Sequence, residues 1–146
     1  MTPLLYHGTR KEFDKFRPLS HFGDVTAANV RLGYIEQPRY KGPIRPLRKS
    51  GAHIRRAYLD IRNPARIEDD KAVHHASPLS YFKAVYDAGH ISKAEFLRET
   101  IKPTLERFIK MMEAQGYDGL VYKNRTEGDA DSFVIFNSTQ VKEKKS

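Results

Sequence analysis

A chain of 146 residues, 39% hydrophobic and 30% charged, matches one soluble globular domain with a sizeable core. The absence of cysteine excludes disulfides, thiolate nucleophiles and cysteine zinc sites, and no apolar run reaches the roughly 20 residues of a membrane-spanning helix. A balance of 26 Lys and Arg against 18 Asp and Glu gives a net charge of +8, which suits a polyanionic partner or a basic solvated surface.

Leu4, Leu5 and Tyr6 form a short apolar run that ends on His7-Gly8-Thr9. This pattern reads as a buried strand delivering an imidazole to the rim of a sheet, or more plainly as a strand end whose histidine is hydrogen-bonded. Gly8 lets backbone approach a ligand with no Cβ in the way. Lys11 to Ser20 reads as a polar loop anchored by Phe13 and Phe16. Asp24 is a natural N-cap for a short helix carrying Val25, Ala28 and Leu32 on one face.

Gly33 to Gly51 has no apolar periodicity and reads as a long loop. From Arg39 to Arg66 there are nine basic residues and one acid, Asp60, with Tyr34 and Tyr40 on the flank. Arg39, Lys41, Arg45, Arg48 and Lys49 are the candidate nucleic-acid contacts, because basic side chains among aromatics suit phosphate binding and base stacking. A solvated loop is the equal alternative. Ile54 to Ile61 alternates as a strand and stops at Arg62-Asn63-Pro64. Leu79 to Ala88 and Ser92 to Met112 are helical by period, with Phe96, Ile101, Leu105, Phe108, Ile109 and Met112 inward and a break near Lys102 before Pro103. His74 and His75 project in different directions and have no carboxylates at ligand spacing, so no metal is expected. Gly119 to Lys123 and Ser132 to Phe136 form a hairpin across a polar turn, and Lys142 to Ser146 reads as a frayed tail. No repeat or boundary divides the chain, so residues 1–146 are expected to form a single domain.

Three stretches carry a resemblance. Leu4 to Arg10 with Phe13 and Phe16, then Gln115 to Tyr122, then Ser132 to Lys142, stand in the order of the ADP-ribosyltransferase superfamily. They resemble its poly-ADP-ribose polymerase and diphtheria-toxin branch, and the small bacterial and phage relatives that open with "YHGT". The resemblance implies an α+β fold with a split β-sheet core and peripheral helices. It also implies NAD as co-substrate, with attack on the bond between nicotinamide and ribose. By analogy His7 is catalytic and bonds the adenosine-side ribose, backbone at Gly8 holds the nicotinamide amide, and Thr9 and Arg10 contact sugar or phosphate. An aromatic of the His21-Phe22 pair would cover the nicotinamide ring. Gln140 is read first as a structural position of the family.

Ser132 is a departure, because it stands where the family has its catalytic Glu. A hydroxyl can bind a ribose but supplies no negative charge. Asp131 is the nearest replacement if a bulge re-aims it, and Glu127 and Asp129 precede it in the turn. The expected activity is mono-ADP-ribosyl transfer to a macromolecule in the cytoplasm, with nucleic acid modestly favoured over protein. An antitoxin or chaperone partner is left open. The alternatives are a 2'-phosphotransferase-like enzyme, in which Arg31, Arg55 or Arg56 grips the RNA phosphate, and an inactive module that binds NAD or RNA.

Overall fold

The computed structural model describes residues 1–9, 13–32, 53–68, 77–124 and 130–144, excepting the side chains of residues 30–32. In chain order the elements are β1 (Leu5–Thr9), β2 (His21–Phe22), α1 (Val25–Leu32), β3 (His53–Leu59), β4 (Pro64–Arg66), α2 (Pro78–Asp87), α3 (Lys93–Glu99), α4 (Leu105–Ala114), β5 (Gly119–Lys123), β6 (Asp131–Ile135) and β7 (Val141–Glu143). The strands divide between a three-stranded sheet ordered β1-β3-β7 and a four-stranded sheet ordered β2-β6-β5-β4. Among the described residues all pairings are antiparallel except that of β4 with β5. This is the expected α+β architecture with a split sheet.

Period-two alternation on β5 and β6 builds the layers. Leu120, Tyr122 and Val134 face Tyr81, Phe82 and Val85 of α2 and Phe108 and Met112 of α4. Ile135 and Phe133 face the other way, onto Leu5, Phe16, Ala57 and Leu59 beside β1 and β3. The four-stranded sheet is therefore covered on both faces, which is why Leu120, Val134 and Ile135 are fully buried.

Local chemistry sets the helix ends. The Asp24 carboxylate accepts from the Ala27 N-H at 2.8 Å, which caps α1 as its sequence implies. The buried positions of that helix include Ala27 and Ala28, whereas Val25 is exposed. Ser77 caps α2, Ser92 and Glu95 form a capping box at α3, and Thr104 caps α4 directly after Pro103. The long periodic segment is thus two helices, and Ile101 falls in the break between them, 79% exposed rather than in the core. The expectation of a frayed tail also fails in part. Val141–Glu143 pairs with β3, and Glu143 takes both Nε and Nη2 of Arg55 at 2.5 and 2.8 Å.

Gln140 ties three separate motifs together. Its Oε1 accepts from the N-H groups of Phe136 and Asn137 at 2.8 and 3.0 Å, and its Nε2 donates to the carbonyls of Asp118 and Asp60 at 2.7 and 3.2 Å. The Asp118 carboxylate in turn accepts from the backbone N-H groups of Arg62 and Asn63, both at 2.8 Å. Gln140 is structural, as its sequence position implies. Gln140→Ala removes partners from two N-H groups and two carbonyls, and should lower unfolding stability by about 2–4 kcal/mol. Denaturant titration checks this, and a loss below about 0.5 kcal/mol contradicts the role.

Candidate active site at the junction of the two sheets

β1 and β2 belong to different sheets and meet at one backbone bridge. The Tyr6 N-H donates to the Gly23 carbonyl at 2.7 Å, and the Gly23 N-H returns a bond to the Tyr6 carbonyl at 3.0 Å. Next to it, His7 Nδ1 lies 2.7 Å from the His21 carbonyl. A carbonyl only accepts, so Nδ1 carries the proton and a neutral His7 keeps Nε2 as its acceptor nitrogen. A cavity of about 200 Å³ opens at this junction, and its lining includes His7, Gly8, Ser20, His21, Gly23, Tyr122, Asn124 and Ser132.

The His7 ring is packed among three phenylalanine rings. Phe16 and Phe13 meet it edge-on at centroid distances of 5.2 and 6.3 Å, and Phe22 lies tilted at 5.2 Å. Arg55, opposite His7 in the β1–β3 register, lies over the rings of Phe13 and Phe16 at 4.4 and 4.7 Å and donates to the Phe13 carbonyl at 2.7 Å. With its Nε and Nη2 on Glu143, this guanidinium holds the aromatic loop in place. That arrangement corrects the reading of Arg55 as a grip for an RNA 2'-phosphate.

His21 also lines the cavity. Its Nδ1 is 2.8 Å from the Tyr122 hydroxyl and its Nε2 is 2.9 Å from the Tyr81 hydroxyl. Burial pushes the Tyr81 phenol up to about 12, so it remains a neutral hydroxyl. Phe22 is also among the residues lining the cavity, but it is fully buried against Leu5, Phe16 and Ile135 and presents no exposed ring face there. Its outward face is taken by the core because it is paired with Phe133, on the side of β6 opposite His21 and Val134.

Ser132 is 2% exposed, and its Oγ accepts from Asn124 Nδ2 at 3.1 Å. A Cβ on Gly23 would stand 2.7 Å from that oxygen and 3.1 Å from the Ala27 Cβ. Only glycine lets the bridge residue come so close to Ser132.

The chain matches a family model described as an ADP-ribosyltransferase in polyvalent proteins over residues 2–145. It belongs to this ADP-ribosyltransferase family. No curated protein and no solved structure matches it. Membership makes ADP-ribosyl transfer the reaction class, and within it the placement of the acid matters most.

Asp131 does not reach the cavity. Strand β6 runs in unbroken register with β5, Tyr122 opposite Ser132 and Lys123 opposite Asp131, with no bulge to re-aim a side chain. Neighbours on a strand point to opposite faces, so Asp131 leaves the site as Ser132 enters it. Its carboxylate forms a two-point pair with Arg66 at 2.9 and 3.1 Å, and this bond holds its pKa below the ordinary value of 3.8. Thr9 follows Gly8 on β1 and is paired with His53, past the lining residues. Arg10, Arg39, Lys41, Arg45, Arg48, Lys49, His74, His75, Glu127 and Asp129 lie outside the described residues, as does the Arg31 side chain. No cluster with metal-ligand character exists among the described residues.

Asp131→Asn should leave transfer activity within about twofold, and should cost less than about 1 kcal/mol of stability at pH 7, since the pair is solvent-exposed. A lowered folded pKa means that the contribution is complete above the unfolded value and disappears as pH falls through the folded one. The wild-type and variant stabilities should therefore begin to converge as pH falls below about 4 and meet only below the lowered folded pKa, as read in denaturant titrations. A loss of activity at constant stability would return Asp131 to the catalytic site.

Proposed function

We propose that this protein transfers a single ADP-ribose unit from NAD+ to a macromolecular acceptor, with nucleic acid favoured over protein, and that residues 1–146 act as a single domain. The observation that carries the reading is the convergence of His7 and Gly8 from one sheet with His21 and Ser132 from the other on one cavity. The net charge of +8 supports a polyanionic acceptor, and the absence of cysteine fits a cytoplasmic chain.

In the proposed reaction, the bond between the nicotinamide nitrogen and ribose C1' breaks and its electron pair neutralises the departing pyridinium ring. An acceptor hydroxyl or ring nitrogen then bonds to C1' and loses its proton. The developing charge is oxocarbenium-like, so binding geometry contributes most to the rate. His7, with Nδ1–H committed to the His21 carbonyl, offers Nε2 to a ribose hydroxyl hydrogen. Backbone at Gly8 reads the nicotinamide amide, and by the family resemblance Thr9 and Arg10 contact sugar or phosphate. Ser132 contacts a ribose hydroxyl in place of the family acid.

One observation favours a second reading. The cavity carries two imidazoles and, among the described lining residues, no carboxylate. A 2'-phosphotransferase-like enzyme, which acts on 2'-phosphorylated RNA with basic groups rather than an acid, matches that inventory.

Incubation with labelled NAD+ and separate pools of RNA, DNA and protein tests both readings. Label on nucleic acid is the expected outcome, and His7→Ala should lower it at least about 100-fold while the variant stays folded. Release of ADP-ribose cyclic phosphate from 2'-phosphorylated RNA would select the second reading. Near-wild-type turnover in folded His7→Ala would contradict both.

A further inference from the structure

His21 is held by two residues that none of the family-like motifs assigns to chemistry. Tyr81 comes from α2, 60 positions away, and Tyr122 from β5, 101 positions away. Their relative exposures are 0% and 1%, and Tyr81 is wedged against Phe108 at a centroid distance of 5.5 Å. Both hydroxyls are therefore fixed points in the helix-facing core. A hydroxyl can donate or accept, so the pair satisfies either neutral tautomer of the imidazole, with the hydroxyl hydrogens rotating to match. Both ring nitrogens are thus engaged by tyrosine hydroxyls, and His21, half-buried, lines the cavity.

We propose that Tyr81 and Tyr122 are positioning residues that hold His21 by both nitrogens, so that the imidazole offers the cavity a ring face and carbon edge rather than a basic nitrogen. This deepens the NAD+ reading of the cavity and rests on it for the ligand. Under it, His21 is a platform for the planar base that leaves, and proton transfer from the acceptor belongs to another group. Because the His21 carbonyl also receives Nδ1–H of His7, the same clamp fixes the backbone that orients the second imidazole.

The test uses the full chain with NAD+ as probe. Tyr81→Phe and Tyr122→Phe keep ring and volume and remove only the hydroxyl, so each folds if its thermal transition survives. Each should raise the Kd for NAD+ about tenfold, the effect of leaving one buried nitrogen without its partner. In a His21→Ala background, which itself weakens binding, neither should cause a further loss. Losses that add fully to that of His21→Ala, or Phe variants within twofold of wild type, would overturn the clamp. A ligand-free measurement separates this from the function. In 15N-labelled protein the exchangeable ring proton of His21 should exchange slowly, and faster in either Phe variant. Rapid exchange in the wild type would overturn the clamp whatever binds. Slow exchange in a protein that ignores NAD+ would leave the clamp standing and remove the NAD+ reading.

Discussion

The two sheets of this protein are joined by a very small amount of backbone, and the site depends on it. The reciprocal bonds between Tyr6 and Gly23 place the end of β1 against the start of α1, and the bond from His7 Nδ1 to the His21 carbonyl sets the first imidazole against the second. Gly23 makes this approach feasible, because any side chain there would collide with the Ser132 oxygen. Three residues distant in sequence, Tyr6, Gly23 and Ser132, are therefore held to one another by sterics and hydrogen bonds before a ligand is considered. A cavity bounded by both sheets, which pack on each other through Phe22, Phe133 and Ile135, follows from that geometry.

Each polar group at the junction is supported from the core behind it. Phe13, Phe16 and Phe22 surround His7, and Arg55 with Glu143 pins the loop that supplies two of those rings. Two buried tyrosines hold His21, and Asn124 holds Ser132. Such backing reduces the reorganisation that ligand binding and bond cleavage require, which is how a site with little ionic character contributes to rate. Arg55 has a cost to remove for the same reason. Loss of its guanidinium would take from Glu143, 20% exposed at its side chain, the cation that meets both of its oxygens.

Much of this was legible in the residues. The run from Leu4 to Thr9, the hairpin of β5 and β6, the cap at Asp24 and the break at Pro103 all follow from local pattern, and the family-like motifs brought His7, Gly8, His21 and Ser132 to one place. Tertiary constraints hid the rest. Whether Asp131 or Ser132 enters the cavity depends on one residue of register, which alternation along a five-residue strand cannot decide without its partner strand. Tyr81 and Tyr122 read as core aromatics because their hydroxyls find their partner only across the fold. Lys142 and Glu143 read as part of a tail because their pairing partners lie more than 80 positions earlier. Phe22 stands as an alternative to His21 for the ligand-facing ring because adjacent positions give no sign of which side the core occupies.

The most direct measurement of the central claim is a crystal structure of the protein with a carbocyclic NAD+ analogue that cannot be cleaved. The nicotinamide ring is predicted to lie in the cavity at the junction of β1 and β2, against the face of the His21 ring, with its amide at the Gly8 backbone and a ribose hydroxyl on His7 Nε2. An analogue bound with its nicotinamide outside that cavity, or with the cavity unchanged and solvent-filled at saturation, would contradict it.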